Sequence, residues 1–275
     1  MLPINDILIL IFIGALSSFL SGLLGVGGAG FLLPLLVYGP PILGGENITM
    51  NEASALSIGL IWIASLSGSL SIKKVLSSKA IRPLIITLAI PSATFGFLGS
   101  IMSAFVHELV LLGSFPILLF FGSIMMLFQP KNDEFDLDDP DSTLDYSNLH
   151  CFYCSSGVGF FAGLVGAGGS FLLKPLSIYV LKIPTRVAIA VALPVVFLAS
   201  TTSLVGKIVS NQMLWEKLLW LVILSIPMAK IGTVVNKKTK AKRLRQLTAW
   251  MFIVVSIGMI GDVIYQLIAD DYFEF

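Results

Sequence analysis

Residues 7–45 read ILILIFIGALSSFLSGLLGVGGAGFLLPLLVYGPPILGG, 39 positions without a single charge. As one α-helix they would reach about 58 Å at 1.5 Å per residue. The hydrocarbon core of a bilayer is ~30 Å thick, and about 20 apolar residues cross it. The stretch must therefore fold back on itself. Glycine tolerates positive φ and weakens a helix by ~1 kcal/mol relative to alanine. The turn is thus expected at Gly25, Gly27 and Gly28, between element A (7–24) and element B (30–43), with Pro40 and Pro41 ending B.

The rest of the chain is built the same way. It is 56% hydrophobic and 12% charged over 275 residues, where soluble domains carry about 25% charge. Glu52 to Lys73 encloses 20 uncharged residues, Arg82 to His107 24, Glu108 to Lys131 22, and Arg186 to Lys207 20. Membrane-spanning β-strands would alternate in polarity, and these runs are apolar on every face. The chain reads as an all-α polytopic membrane protein, with the lipid bilayer as its solvent. MLPINDILIL has no basic region ahead of the apolar run, so it reads as a first membrane element, not a cleaved signal peptide.

A second glycine cluster, GLVGAGGSFLLK, occupies residues 163–174. Gly25, Gly27, Gly28 and Pro34 match Gly166, Gly168, Gly169 and Pro175 at an offset of 141. ASALSIGLIWIAS (53–65) matches AIAVALPVVFLAS (188–200) at offset 135, and IPSATFG (90–96) matches IPMAKIG (226–232) at offset 136. Three collinear matches indicate a duplication. The first membrane repeat covers 1–128 and the second 150–275. An acidic linker at 129–149 joins them; QPKNDEFDLDDPDSTLDYSN carries seven acids and one base. After A and B come C (53–72), D (83–104) and E (108–128); the second half repeats them as F (150–166), G (170–181), H (187–206), I (215–235) and J (246–268).

Charge orients these elements. Lys73, Lys74, Lys79 and Arg82 lie between C and D; Lys237, Lys238, Lys240, Lys242, Arg243 and Arg245 lie between I and J. Short basic loops stay cytoplasmic. C–D corresponds to H–I in the repeat, and D–E to I–J, so two cytoplasmic basic loops make D and I run in opposite directions. Two inverted repeats of about five membrane elements each follow, with the linker cytoplasmic and both termini outside. Each glycine-rich pair is either two short crossings or a re-entrant hairpin, which gives eight to ten transmembrane segments.

Chemistry then concentrates at the breaks. Non-helical backbone at membrane depth survives only in a protein interior or at a watery cavity. In transporters built from inverted repeats, broken helices aim their positive N-termini at an anion. The other reading of the glycines is close helix packing. Lys174 and Ser170 follow the second cluster, and a charge inside an apolar run points to substrate, unless it snorkels to the surface. Lys230 is a second such cation. Ser54, Ser57, Ser65, Thr201 and Thr202 on C and H offer hydroxyls, which also bond their own backbone. The substrate-binding set is therefore Gly25, Gly27, Gly28, Gly166, Gly168, Gly169, Ser170, Lys174, Ser57 and Thr201. Pro34, Pro175, Pro91 and Pro227 are structural or hinge positions, the last two kinking D and I.

Asp262 in J reads as a water-facing carboxylate or a proton relay. HCFYC (150–154) lacks the further ligands of a zinc site, so Cys151 and Cys154 read as plain thiols. With two histidines, no nucleophile elbow and no P-loop, the chain offers no catalytic residues, no metal site and no cofactor site. Nothing points to nucleic acid, and a homo-oligomer stays open.

GLLGVGGAGFLLPLL and GLVGAGGSFLLKPL, each followed by an alanine- and serine-rich span, resemble the duplicated motif of the sulfite exporter TauE/SafE family. The resemblance covers residues 10 to 265. It implies a secondary transporter of the bacterial cytoplasmic membrane, moving sulfite, sulfonates or thiosulfate outward, and not an enzyme. Ala29 and Ser170 depart from the family's frequent triple glycine, and the acidic linker is not a feature associated with it. An ion channel, a cation-coupled uptake protein and a non-transporting assembly protein remain as alternative functions.

Overall fold

The computed structural model describes residues 3–24, 29–70, 81–128, 146–239 and 241–273. The first glycine cluster at 25–28, most of the C–D basic loop and most of the acidic linker lie outside them. The described residues form eleven helices and no strand: α1 (Ile4–Leu24), α2 (Ala29–Ile42), α3 (Met50–Leu70), α4 (Arg82–Met102), α5 (Glu108–Leu127), α6 (Asn148–Val165), α7 (Ser170–Tyr179), α8 (Thr185–Val209), α9 (Trp215–Val222), α10 (Ser225–Lys238) and α11 (Ala241–Phe273). Six of the apolar stretches are long enough to cross a membrane: α1, α4, α5, α8, α9 with α10, and α11. Apolar parts of α2 and α3 are shorter, and α7 spans about 15 Å.

Contacts at the helix ends fix the directions. Asn5 Nδ2 donates to Gly44 O (3.1 Å), and the Glu46 amide donates to Asp6 Oδ1 (3.1 Å). The start of α1 thus lies beside the α2–α3 connection. The Met50 amide donates to Glu108 Oε1 (2.5 Å), and Lys217 Nζ lies 3.9 Å from Glu52 Oε2. So α1, α3, α5 and α9 all begin at one end of the bundle, which we term the first end. The acids Asp6, Glu46, Glu52, Glu108 and Glu216 gather there. Lys182, Arg186, Arg82, Lys238, Arg243 and Arg245 lie at or near the second end.

Glycines set the tightest crossings. A Cβ on Gly14 would collide with Leu221 O, one on Gly22 with Ala229 O, and one on Gly232 with Phe19 O. These place α1 alongside α9 and α10, running the same way. Correspondingly, Gly159 abuts Ser92 O, Gly163 abuts Gly96 O, and Gly99 abuts Phe160 O, so α4 and α6 run together. Small residues let backbones approach where lipid offers no hydrophobic gain from burial. In addition α4 packs along α8, α5 pairs with α11, and α3 crosses α8.

Pro40 and Pro41 end element B as expected, with α2 closing at Ile42, one residue before the expected bound of 43. Proline lacks a donor but keeps its carbonyl, and Pro40 O accepts from the Leu43 and Gly45 amides, closing the helix just beyond. Element I is interrupted by a turn at residues 223–224, about one turn ahead of Pro227, where the kink is expected, and the two parts together make one membrane-length stretch. The counterpart Pro91 sits inside an unbroken α4.

Candidate functional site

The chain from α6 to α7 is the non-helical segment inside the bundle that sequence reasoning marked. Gly166 caps α6 at φ 82°, Gly168 has φ 61°, and Gly169 starts α7 at φ 68°. Side chains disfavour such left-handed backbone, which explains why glycine occupies three of these four positions. No side chain caps Gly169, and the first α7 bonds run from the Leu172 and Leu173 amides to Gly169 O. The N-terminus of α7 therefore faces back toward the break, with its amides and positive dipole end.

One face of α3 lines this break. A Cβ on Gly166 would collide with Ser54 O and Ser54 Oγ, and one on Gly168 would meet the Ile61 side chain at 2.7 Å. Ser54, Ser57 and Ile61 follow helical spacing on that face. Both serines are fully buried, and neither hydroxyl makes a hydrogen bond. Asn51 Oδ1, one turn earlier, is likewise buried and unbonded. An unpaired buried hydroxyl costs roughly 1–3 kcal/mol. Ser54 against the helix break, with Ser57 one turn along the same face, leaves two donors to spare.

The other hydroxyls are spent. Thr201 Oγ1 donates to Phe197 O (2.7 Å) and accepts from Trp62 Nε1 (3.0 Å). Thr202 Oγ1 bonds Ala93 O (2.6 Å), and Ser65 and Ser200 oxygens meet at 3.4 Å. Thr201, Ser65 and Ser200 tie α3 to α8, and Thr202 ties α8 to α4. Ser170 is buried at the first position of α7, and Lys174 lies one turn further, half-buried. Gly25, Gly27 and Gly28 lie outside the described residues. Pro34 and Pro175 fall inside α2 and α7, Pro175 buried. Lys230 is exposed on α10. Asp262 on α11 accepts from Tyr38 Oη and Gln266 Nε2, each at 2.9 Å. Cys151 and Cys154 are free thiols.

Sequence reasoning missed Lys207. It is wholly buried in the last turn of α8, and its Nζ donates to Ser103 Oγ (2.6 Å) and Gln212 Oε1 (2.7 Å). Its signal was positional: a lysine closing an apolar run at the end where acids otherwise gather.

A helical bundle of membrane-crossing length, broken inside by glycines and lined there by unbonded hydroxyls, defines a polytopic membrane protein with an internal polar site. The chain belongs to the sulfite exporter TauE/SafE family of membrane transporters, whose pattern it matches over residues 10–259. It is similar to "Probable membrane transporter protein YunE" of Bacillus subtilis, 25% identical over 94% of this chain and 98% of that protein. It is also similar to "Probable membrane transporter protein MJ0441" of Methanocaldococcus jannaschii, 26% identical over 92% of this chain and 94% of that one. No solved structure matches it.

Proposed function

We propose that this protein is a secondary transporter that exports a small sulfur-containing anion by alternating access between two inverted repeats. The observation that carries the site is the pair of buried, unbonded hydroxyls of Ser54, which abuts Gly166, and Ser57, one turn along the same face of α3. An oxyanion there accepts from both hydroxyls and from the N-terminus of α7, and Lys174 supplies charge from the next turn. Backbone amides and hydroxyls at a helix start hold an anion without a metal or cofactor.

The inverted arrangement has its own support. At offset 135, Ser65 corresponds to Ser200 and Trp62 to Phe197, and each residue meets its own counterpart: the oxygens at 3.4 Å and the rings at 6.4 Å. Contacts between counterparts arise on a two-fold axis. Further, α1 and α3 run from the first end to the second, whereas their counterparts α6 and α8 run the other way. A cytoplasmic second end accords with its basic residues. In a bacterial cell this is the cytoplasmic-membrane orientation.

The test is efflux of radiolabelled sulfite from proteoliposomes. Wild type should show saturable flux. Ser54→Ala/Ser57→Ala should lower it at least tenfold without lowering thermal stability, because neither hydroxyl has a partner to lose. Gly168→Leu and Lys174→Ala should also lose flux. Full flux in all three variants would refute the site, and flux that never saturates would favour a channel.

A further inference from the structure

The Lys207 cluster joins three segments. Lys207 lies in the last turn of α8, Ser103 ends α4, and Gln212 belongs to the α8–α9 connection. Ser103 Oγ donates to Ser100 O at 2.7 Å and lies 3.2 Å from Gln212 Oε1. Both partners of the ammonium are neutral, and no carboxylate among the described residues lies within ion-pair distance. A buried cation without a counter-charge costs several kcal/mol, so a merely structural tie between α4 and α8 would be better made by neutral groups.

The cluster also adjoins the break. Gly99, in the last turn of α4, presses on Phe160 O and Leu164 N just before Gly166, and Ser100 Oγ fills the space beside Gly206 of α8. One turn of α4 thus touches the α6 end of the break on one side and α8 on the other. At offset 135 the counterpart of Lys207 is Ile72, with Lys73 the next residue.

We propose that Lys207, Ser103 and Gln212 form the first-end gate of the transport path, closed in this structure. As α4 parts from α8, Lys207 exchanges its two neutral partners for the passing anion. The two neutral partners make the gate selective, since a cation or neutral solute would leave the parted ammonium unpaired. This inference rests on the anion-transport reading of the Gly166–Gly169 site.

Two experiments decide it, both in a Cys151→Ser/Cys154→Ser background. In the first, Ser57→Cys is labelled in proteoliposomes by a membrane-impermeant methanethiosulfonate, applied to each face in turn. From the first-end face, Lys207→Ala should raise the labelling rate at least tenfold, and Lys207→Arg should leave it low. Equal rates in folded Lys207 and Lys207→Ala proteins would overturn the gate. The second uses Ser103→Cys/Gln212→Cys. Oxidation should cut sulfite efflux at least tenfold, reversibly with reductant, while sulfite still raises the melting temperature. Undiminished efflux from fully cross-linked protein would also overturn it. If the reduced pair and its parent neither transport nor bind sulfite, the anion reading falls, and the labelling rates still decide the gate.

Discussion

The α4–α6 crossing and the crossing of α1 with α9–α10 are built from corresponding parts yet lie in different surroundings. Gly163 against Gly96 and Gly22 against Gly232 occupy corresponding positions at the two contacts. The cross-helix bonds share an acceptor position with different donors: Ser92 Oγ donates to Ser155 O (2.9 Å) and Ser225 Oγ to Gly14 O (3.3 Å), where Gly14 and Ser155 are counterparts and Ser92 corresponds to Met228. Beyond the crossing they diverge. α4 is continuous and held on its other side by α8, whereas α10 follows a break, stays largely exposed, and makes no comparable contact with α3 among the described residues. One sequence pattern therefore supports a clamped helix in one half and a loosely held one in the other. Under the alternating access proposed above, two rocking halves would look unequal in any single conformation, closed at one end where open at the other.

The largest effect expected from breaking this comparison is at Gly163. Leucine there meets the Gly96 carbonyl, and α4 cannot retreat because α8 stands behind it. Gly163→Leu should abolish the folded protein in detergent, as judged by size-exclusion profile and thermal melt. Gly22→Leu makes the same collision with Ala229 O, but α10 has room to move outward. Its destabilisation should stay within the ~1–3 kcal/mol usual for overpacking. Equal losses would show that the two crossings are not differently constrained.

Pro227→Ala should come next. Restoring the amide should let α9 and α10 join, slowing hydrogen exchange at residues 223–228 and lowering flux with little change in stability. Pro91→Ala should leave exchange in α4 unchanged, since that helix is already continuous. The smallest effect should come from Thr201→Val, which removes the Trp62 acceptor at the α3–α8 crossing. A loss of about 1 kcal/mol in thermal stability is expected, with flux retained.

Much of this architecture was legible in the sequence. Uncharged runs bounded by single charges mark most of the long helices, and three glycines in four positions mark the α6–α7 break, because only glycine suits that backbone. The remainder depended on partners distant in sequence. Pro91 and Pro227 look identical in their segments, yet one lies in an unbroken helix packed along α8 and the other just beyond an interruption. Ser54 and Ser57 could not be told from Thr201 and Thr202 by type. What distinguishes them is whether another helix brings a partner, which Trp62 and Ala93 do for the threonines. Lys207 reads as a boundary charge until Ser103, 104 positions away, is folded against it.

The rocking of the two halves is most directly tested by two spin-label distances, measured with and without sulfite. The label pairs are Phe105→Cys/Val209→Cys at the first end and Leu66→Cys/Val234→Cys toward the second, each in a Cys151→Ser/Cys154→Ser background. The account predicts two populations in which one distance lengthens as the other shortens, with sulfite shifting their ratio. Single, ligand-independent distances at both ends, in protein that transports sulfite, would contradict it.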